Sequence, residues 1–155
     1  MTKTPRPRMA PDFDLETDSG GRVKLSDLTG RKVVVYFYPK DDTSGCTLEA
    51  LDFTQAEKAF TKAGTTVIGI SPDTAKSHGK FRDKHKLGIT LAADPDKKAI
   101  EAYGVWAEKS MYGRKYMGVE RSTFLIGPDR RIVREWRKVK VPGHVEEVLE
   151  AAREL

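Results

Sequence analysis

The chain has one cysteine, Cys46, which follows a loop of proline, aspartate, threonine, serine and glycine in the stretch YFYPKDDTSGCTLEALDF (residues 36–53). Thr43 and Ser44 offer hydroxyl groups for hydrogen bonds, and Gly45 lets the backbone come close to a ligand. A cysteine in the first turn of a helix lies near unpaired backbone N–H groups, whose partial positive charge favours the nucleophilic thiolate. These residues could therefore hold an anion beside a reactive thiolate.

Two of these residues also have simpler interpretations. Cysteine is among the most buried residue types, so Cys46 could pack as a small hydrophobic side chain. Thr43 could serve only as the N-terminal cap of the helix. Capping and catalysis are compatible, because a cap oxygen lies next to the side chains of the first helical turn.

Each class of thiol enzyme needs different residues around the reactive cysteine, according to the electrophile that its thiolate attacks. A thiol–disulfide oxidoreductase would carry a second cysteine close by, and Leu48 and Glu49 stand there instead. A cysteine hydrolase would need a histidine base, and no histidine lies in a motif that ties it to Cys46. Peroxide reduction needs neither group. Its site has to favour the thiolate and to stabilise charge on the departing oxygen.

Cys46 is predicted to lie between a buried strand and a helix. Residues 33–37, VVVYF, are continuously apolar and rich in β-branched side chains, which is typical of a central strand buried on both faces. Apolar residues then recur at helical spacing as far as Phe60, which predicts a helix from near Cys46 to Gly64.

The rest of the chain alternates between strand and helix patterns, which favours an α/β fold with parallel strand pairs. The predicted elements are a β-hairpin over residues 13–25, a strand over 66–70, a helix carrying His78, Phe81 and His85, a short helix from Asp94 to about Tyr103, a hairpin of strands 122–126 and 132–136, and a last helix beyond Pro142.

Composition favours one ordinary globular domain. Hydrophobic residues make up 38% of the 155 residues and charged residues 33%, and 28 Lys and Arg against 23 Asp and Glu give a formal charge of +5. We expect a short flexible basic tail over residues 1–10 and a single domain over 11–155. The positive charge is modest, and no nucleic-acid-binding motif accompanies it, so we expect no nucleic-acid partner. No apolar run is long enough for a membrane helix, and the N-terminus lacks the apolar segment of a signal peptide. We therefore expect a cytoplasmic protein without a membrane partner.

Several segments together resemble one known family. Pro39, Thr43 and Cys46 form P-x-x-x-T-x-x-C, which is similar to the active-site motif of the peroxiredoxins. The further segments ISPDTAKSHGKF, YGVW and MYGRKYMGVERSTFLIGPD resemble the bacterioferritin comigratory protein, or Q-type, subfamily from Pro11 onward. The resemblance implies a thioredoxin-like fold, in which helices flank a mixed central sheet and a β-hairpin lies at the N-terminus. The site would then lie at the carboxyl end of a central strand.

The resemblance also implies the roles of particular residues. Cys46 would be the peroxidatic nucleophile, Thr43 would form hydrogen bonds to thiolate and peroxide, and Pro39 would shield the thiolate from water. Arg121 would stabilise the thiolate and orient the peroxide, although without the resemblance it could be a solvated cation at a strand end. Thr43, Gly45, Cys46 and Arg121 would bind the substrate, hydrogen peroxide or a small organic hydroperoxide, with no metal or cofactor.

The chain departs from the subfamily that it resembles at the resolving cysteine. Leu51 and Arg82 occupy the two positions where many subfamily members carry one. The resemblance therefore implies a 1-Cys mechanism, in which an external thiol, from a thioredoxin-type protein or a small molecule, reduces the sulfenic acid. The alternative is a redox-sensing or holdase module that uses Cys46 as a switch. We expect a monomer.

Three aromatic side chains have no assigned role in this interpretation. Trp106, Tyr112 and Tyr116 could line one wall near the site, and packing in the core or at the surface explains them equally well.

Overall fold

A computed structural model describes residues 8–155. Its strands are β1 (Arg8–Met9), β2 (Asp14–Thr17), β3 (Arg22–Lys24), β4 (Lys32–Phe37), β5 (Thr65–Ser71), β6 (Thr90–Ala93), β7 (Trp106–Met111), β8 (Arg114–Val119), β9 (Ser122–Ile126) and β10 (Arg131–Trp136). The helices are α1 (Ser44–Lys62), α2 (Ala75–His85), α3 (Lys98–Ala102) and α4 (His144–Glu154), and a 3₁₀ helix covers Leu25–Leu28.

Eight strands form one mixed sheet in the order β1-β10-β9-β4-β5-β6-β2-β3, and β7 and β8 form a separate hairpin. Strand β4 runs parallel to β5 and antiparallel to β9. Its residues 33–37 are all buried, as expected for a strand that is covered on both faces. The predicted central strand is therefore confirmed.

The two faces of β4 contribute to two hydrophobic clusters. Val33, Val35 and Phe37 point into one cluster, where they meet residues of α3. Val34 and Tyr36 point into the other, where α1, α2 and α4 pack. The alternation follows from the twofold side-chain period of a strand. Cys46 belongs to the second cluster, so its position is fixed by the packing of α1 on the sheet.

Helix α1 follows the predicted course. It begins at Ser44, two residues before Cys46, and Gly64 follows its last turn with φ +68°. A left-handed residue just beyond a helix is a common helix end. The predicted strand over 66–70, the hairpin of late strands and the last helix are also confirmed as β5, β9–β10 and α4, with bounds that differ by one or two residues.

The predicted short helix starts later than expected. Asp94 lies four residues before α3 rather than at its cap, and its carboxylate accepts the backbone N–H groups of Lys98 and Ile100. The segment between Asp94 and Lys98 forms a turn, and Lys97 at the cap position has φ +61°. The carboxylate thus still pairs the free N–H groups of the helix start.

The N-terminal region is more ordered than expected. Hairpin β2–β3 is confirmed, but it joins the main sheet through β6 and forms its edge, and Leu25 belongs to the 3₁₀ helix. The predicted tail is corrected over its last three residues, because Arg8 and Met9 pair with β10 and Ala10 is buried. The other residues of that tail, 1–7, lie outside the described part. Within residues 8–155, no helix is long and apolar enough to cross a membrane.

Candidate active site

The sheet places Cys46 at the carboxyl end of β4. A loop over residues 38–43 leaves this strand and leads directly into α1, where Cys46 is the third residue. Its side chain is 1% exposed. Cys46 thus packs like a core residue and also lies in the first helical turn, beside backbone N–H groups that have no partner within the helix.

Strand β9 brings Arg121 to the same point. Ser122 pairs with Phe37 at the end of β4, so the preceding residue, Arg121, lies beside the start of α1. Its Nη2 donates a hydrogen bond of 3.3 Å to Sγ of Cys46, and its Nη1 donates one of 2.7 Å to Oε1 of Glu49. With a side chain 17% exposed and paired with a buried carboxylate, Arg121 is not the solvated cation that its sequence alone would have suggested.

The surroundings of Arg121 keep it charged. Burial acts to lower its pKa, but the negative charges of Glu49 and of the Cys46 thiolate outweigh burial and raise the pKa of Arg121 overall. The backbone carbonyl of Arg121 also accepts the backbone N–H of Val139 at 2.9 Å, which holds the main chain of Arg121 to the segment that follows β10. A fixed guanidinium therefore faces the sulfur.

Gly45 makes room for this guanidinium. A Cβ atom at position 45 would lie 3.2 Å from Nη2 of Arg121, closer than side-chain carbons normally come to their neighbours. Any larger residue would push the guanidinium away from Sγ of Cys46. Among the predicted site residues, the structure thus brings Gly45, Cys46 and Arg121 together.

Thr43 and Pro39 lie in the loop before α1. Thr43 occupies the cap position, but its side chain accepts no helix N–H and its hydroxyl instead donates to the carbonyl of Lys40 at 2.9 Å. That hydrogen bond stabilises the loop that leads to Cys46. Within residues 8–155 the hydroxyl forms no hydrogen bond with Sγ. Pro39 is half-buried in the same loop.

Glu49 is a site residue that sequence reasoning missed. It lies three residues after Cys46 in α1, is 0% exposed, and its Oε2 has no hydrogen-bond partner within the described residues. Burial raises its pKa to about 7, although Arg121 acts in the opposite direction. The available signal was a carboxylate on the same helix face as Ala50 and Phe53, a face that is otherwise apolar.

A second buried carboxylate lies in the loop before Cys46. Asp41 accepts hydrogen bonds from the hydroxyls of Tyr38 and Ser77 at 2.7 Å each, and its Oδ2 is 2.8 Å from Nδ1 of His78. Burial acts to raise the pKa of Asp41, but the hydrogen bond and charge of His78 and the two hydroxyls lower it overall. His78 therefore anchors the loop to α2.

The same helix also binds the next residue of the loop. Lys84 Nζ and His85 Nε2 each lie 2.8 Å from a carboxylate oxygen of Asp42. Both of these contacts are exposed and contribute little to stability. Helix α2 thus contacts two successive aspartates, one inside the protein and one at its surface.

The carboxylates of Asp41 and Asp73 and a ring nitrogen of His78 lie within 4.8 Å of one another, close enough to bind a metal ion. Each is already engaged in hydrogen bonds. Nε2 of His78 lies 3.0 Å from the carbonyl of Ala92, and Asp73 accepts from the Ser71 hydroxyl and the Asp41 backbone N–H. These bonds account for the three side chains as part of the packing between the loop and α2.

The two positions expected for a resolving cysteine have structural partners. Leu51 packs against the cluster that contains Cys46. Arg82 binds the Asp18 carboxylate and donates to the carbonyls of Leu87 and Ile89 at 2.6 Å each, so it fastens the end of α2 to the β2–β3 hairpin.

The three aromatic residues that could line a wall near the site differ in their exposure. Trp106 is half-buried, but Tyr112 is 99% exposed at the turn between β7 and β8, and Tyr116 is exposed on β8. Tyr112 is therefore a surface residue of this hairpin.

Comparison with known proteins places this arrangement in a family. The model of the AhpC/TSA family matches residues 7–135. The chain is 49% identical to peroxiredoxin Bcp of Bacillus subtilis over 146 residues, which cover 94% of this chain and 93% of that one. It is 50% identical to a putative peroxiredoxin bcp of Coxiella burnetii over 140 residues, 90% of this chain and 93% of that one.

Solved structures of peroxiredoxins have the same fold as this chain. A cysteine-to-serine mutant of Xylella fastidiosa PrxQ superposes with a TM-score of 0.89 at 39% identity, covering 97% of this chain and 98% of that one. A mutant of Xanthomonas campestris peroxiredoxin Q gives 0.88 at 43% identity, covering 92% and 90%. The predicted thioredoxin-like architecture is thereby confirmed. The chain belongs to the AhpC/TSA family and is a thiol-dependent peroxidase of the Bcp, or PrxQ, type with a single cysteine.

Proposed function

We propose that Cys46 is the peroxidatic nucleophile, and that it reduces hydrogen peroxide and small organic hydroperoxides. The observation that carries this proposal is the 3.3 Å hydrogen bond from Arg121 to Sγ, because a half-buried guanidinium at this distance can stabilise negative charge on the sulfur and on the departing oxygen. A solved structure of the Xanthomonas campestris bacterioferritin comigratory protein is described by its alkyl peroxide reduction activity. The same substrate class is proposed here.

In the first step, the Cys46 thiolate attacks one oxygen of the hydroperoxide. The S–O bond forms, the O–O bond breaks, and the other oxygen leaves as hydroxide or alkoxide and takes up a proton. Arg121 stabilises the negative charge that moves from sulfur to this departing oxygen. Gly45 and Thr43 border the space in which the peroxide would lie, and Pro39 limits access of water.

In the second step, an external thiol restores the enzyme by a 1-Cys mechanism. A thiolate attacks the sulfur of the Cys46 sulfenic acid, an S–S bond forms as the S–O bond breaks, and the departing hydroxide takes up a proton from solvent and leaves as water. A second thiol then reduces the mixed disulfide. Cys46 is 1% exposed, so the loop over residues 38–43 or the first turn of α1 must move to admit this thiol. A monomeric state and a cytoplasmic location remain predictions.

The proposed function is tested by measuring catalytic turnover of peroxide, and not only the oxidation of Cys46. We expect the protein to consume many equivalents of hydrogen peroxide when dithiothreitol is present, and the Cys46→Ser variant to consume none. Arg121→Met should lower the rate by about 10²- to 10³-fold, as loss of a charge-stabilising donor does in other enzymes. A protein that is oxidised once and does not turn over would instead be a redox sensor or a holdase.

A further inference from the structure

A pocket of about 290 Å³ shares Arg121 with the active site. It lies between the β7–β8 hairpin and the segment that follows β10. Three cations contribute to its lining: Arg121 itself, Lys109 on β7, and Lys138 beyond β10. Arg121 therefore contacts Cys46 through Nη2 and also borders a second space.

The two lysines are unpaired in the part of the chain that the structure describes. Within residues 8–155, neither the Lys109 nor the Lys138 ammonium group forms an ion pair or a hydrogen bond. Lys109 is half-buried, and burial together with the positive charge of Arg121 lowers its pKa, while Cys46 and Glu120 act in the opposite direction. An anion in the pocket would relieve this repulsion between Lys109 and Arg121.

The pocket also contains two carboxylates, but each has a cation outside it. Glu120 lies 3.9 Å from Arg137, and Glu108 lies 3.9 Å from Lys115. The lining therefore keeps an excess of positive charge near Arg121. Its apolar part consists of Ala107 and Val139, which is little surface for an alkyl chain.

We propose that this pocket binds the carboxylate of the small thiol that reduces the Cys46 sulfenic acid. The inference rests on the proposed 1-Cys mechanism, which needs an external thiol because the sequence has no second cysteine. The volume suits a small molecule, and the charge selects an anion. The carboxylate would pair with Lys109 and Lys138, and the thiolate would attack the Cys46 sulfur once the loop over residues 38–43 or the first turn of α1 has moved to admit it. The S–S bond forms as the S–O bond breaks, and the departing hydroxide takes up a proton from solvent and leaves as water.

The experiment compares three thiols of similar size and different charge: 3-mercaptopropionate, 2-mercaptoethanol and cysteamine. The Cys46 sulfenic acid is formed with one equivalent of hydrogen peroxide, and its reduction is then timed. Each rate is divided by the thiolate fraction of the thiol, because the thiolate is the attacking species. We expect the anionic thiol to react about three- to tenfold faster than the neutral one, and the cationic thiol to be the slowest. The preference should shrink as salt is added.

A double variant identifies the pocket. Lys109→Met with Lys138→Met should bring the ratio of anionic to neutral thiol close to one. Lys76→Met with Lys80→Met, two exposed lysines of α2, removes the same net charge and should keep the wild-type ratio. Because the readout is a ratio within one protein, a general loss of rate cancels. If the double variant fails to fold, the single variants Lys109→Met and Lys138→Met replace it, and each should lower the ratio; an unchanged ratio in both would overturn the assignment.

The outcomes separate this inference from the proposed function. If hydrogen peroxide forms no sulfenic acid, the proposed function is wrong. If sulfenic acid forms but the three thiols reduce it at equal rates, only the pocket assignment is overturned. A second arm oxidises Cys46 with a fatty-acid hydroperoxide and with its methyl ester. A preference for the carboxylate in this arm alone would overturn the assignment to the thiol.

Discussion

Two buried carboxylates lie on either side of Cys46 in the sequence, and their surroundings give them opposite properties. Asp41, in the loop before α1, is surrounded by donors, and its pKa is lowered. Glu49, inside α1, is bound on one oxygen by Arg121, its other oxygen has no partner within residues 8–155, and its pKa is raised to about 7. The number of donors therefore decides whether a buried carboxylate stays ionised.

This difference separates a structural role from a role in tuning the site. Asp41 holds the loop to α2 in one charged state over the ordinary pH range. Glu49 changes its charge near neutral pH, directly beside the guanidinium that contacts Sγ of Cys46. Ionised Glu49 compensates the charge of Arg121, and protonated Glu49 leaves that charge to the sulfur and the peroxide.

The largest expected effect concerns the anchor of the loop. The His78→Ala variant leaves the buried Asp41 carboxylate without its main partner, so we expect the free energy of unfolding to fall by about 3–5 kcal/mol. Lys84→Ala on the same helix removes only an exposed contact to Asp42 and should cost about 0–1 kcal/mol. Urea unfolding measures both. Equal losses in the two variants would mean that burial does not distinguish the two contacts.

The next effect concerns the pH dependence of stability. Glu49 binds its proton more tightly in the folded chain (pKa about 7) than at its ordinary value of 4.5, so the folded state holds more protons between these values. The contribution of Glu49 is therefore largest below pH 4.5 and decreases by about 3 kcal/mol as pH rises to 7. Asp41 has the opposite sign, because its lowered pKa adds stability that is lost in acid.

The Glu49→Gln variant should remove this decrease while keeping the shape of the side chain. We would compare urea unfolding of wild type and variant at about pH 5 and about pH 7. Glu150→Gln, an exposed position on α4, serves as the control and should keep the wild-type difference. If Glu49→Gln has the same pH dependence as wild type, Glu49 does not titrate in this range.

The smallest effect concerns the loop between the two carboxylates. Thr43→Val loses the hydroxyl that donates to the Lys40 carbonyl, so we expect a loss of about 1 kcal/mol in stability. If the hydroxyl also binds the peroxide, oxidation of Cys46 should slow by about 10- to 100-fold. Thr61→Val, exposed near the end of α1, should change neither quantity. Stability loss without a slower oxidation would restrict Thr43 to the loop.

The parts of the site that depend on local sequence patterns could be predicted from the sequence. An apolar strand followed by a Pro- and Gly-containing loop and a helical repeat predicted where Cys46 lies. The family resemblance added Arg121, which reaches Cys46 only through the pairing of β9 with β4. Local periodicity carries no information on such a pairing, because the two residues are 75 positions apart.

The two carboxylates were missed for the same physical reason. Asp41 reads as a loop residue until α2 packs over it, since its partner His78 is 37 positions away. Glu49 reads as a polar residue of an amphipathic helix, and only the fold shows that it is completely buried beside Arg121. The start of α3 was misjudged because Asp94 binds the helix N–H groups from four residues away.

The most direct test of this account is the rate at which one equivalent of hydrogen peroxide oxidises Cys46 in a stopped-flow experiment. Wild type, Arg121→Met and the control Arg134→Met, which removes a half-buried arginine that pairs with Glu147, would be compared. We expect a wild-type rate far above that of glutathione, a loss of about 10²- to 10³-fold in Arg121→Met, and no change in Arg134→Met. A wild-type rate no faster than glutathione, or an unchanged rate in Arg121→Met, would contradict it.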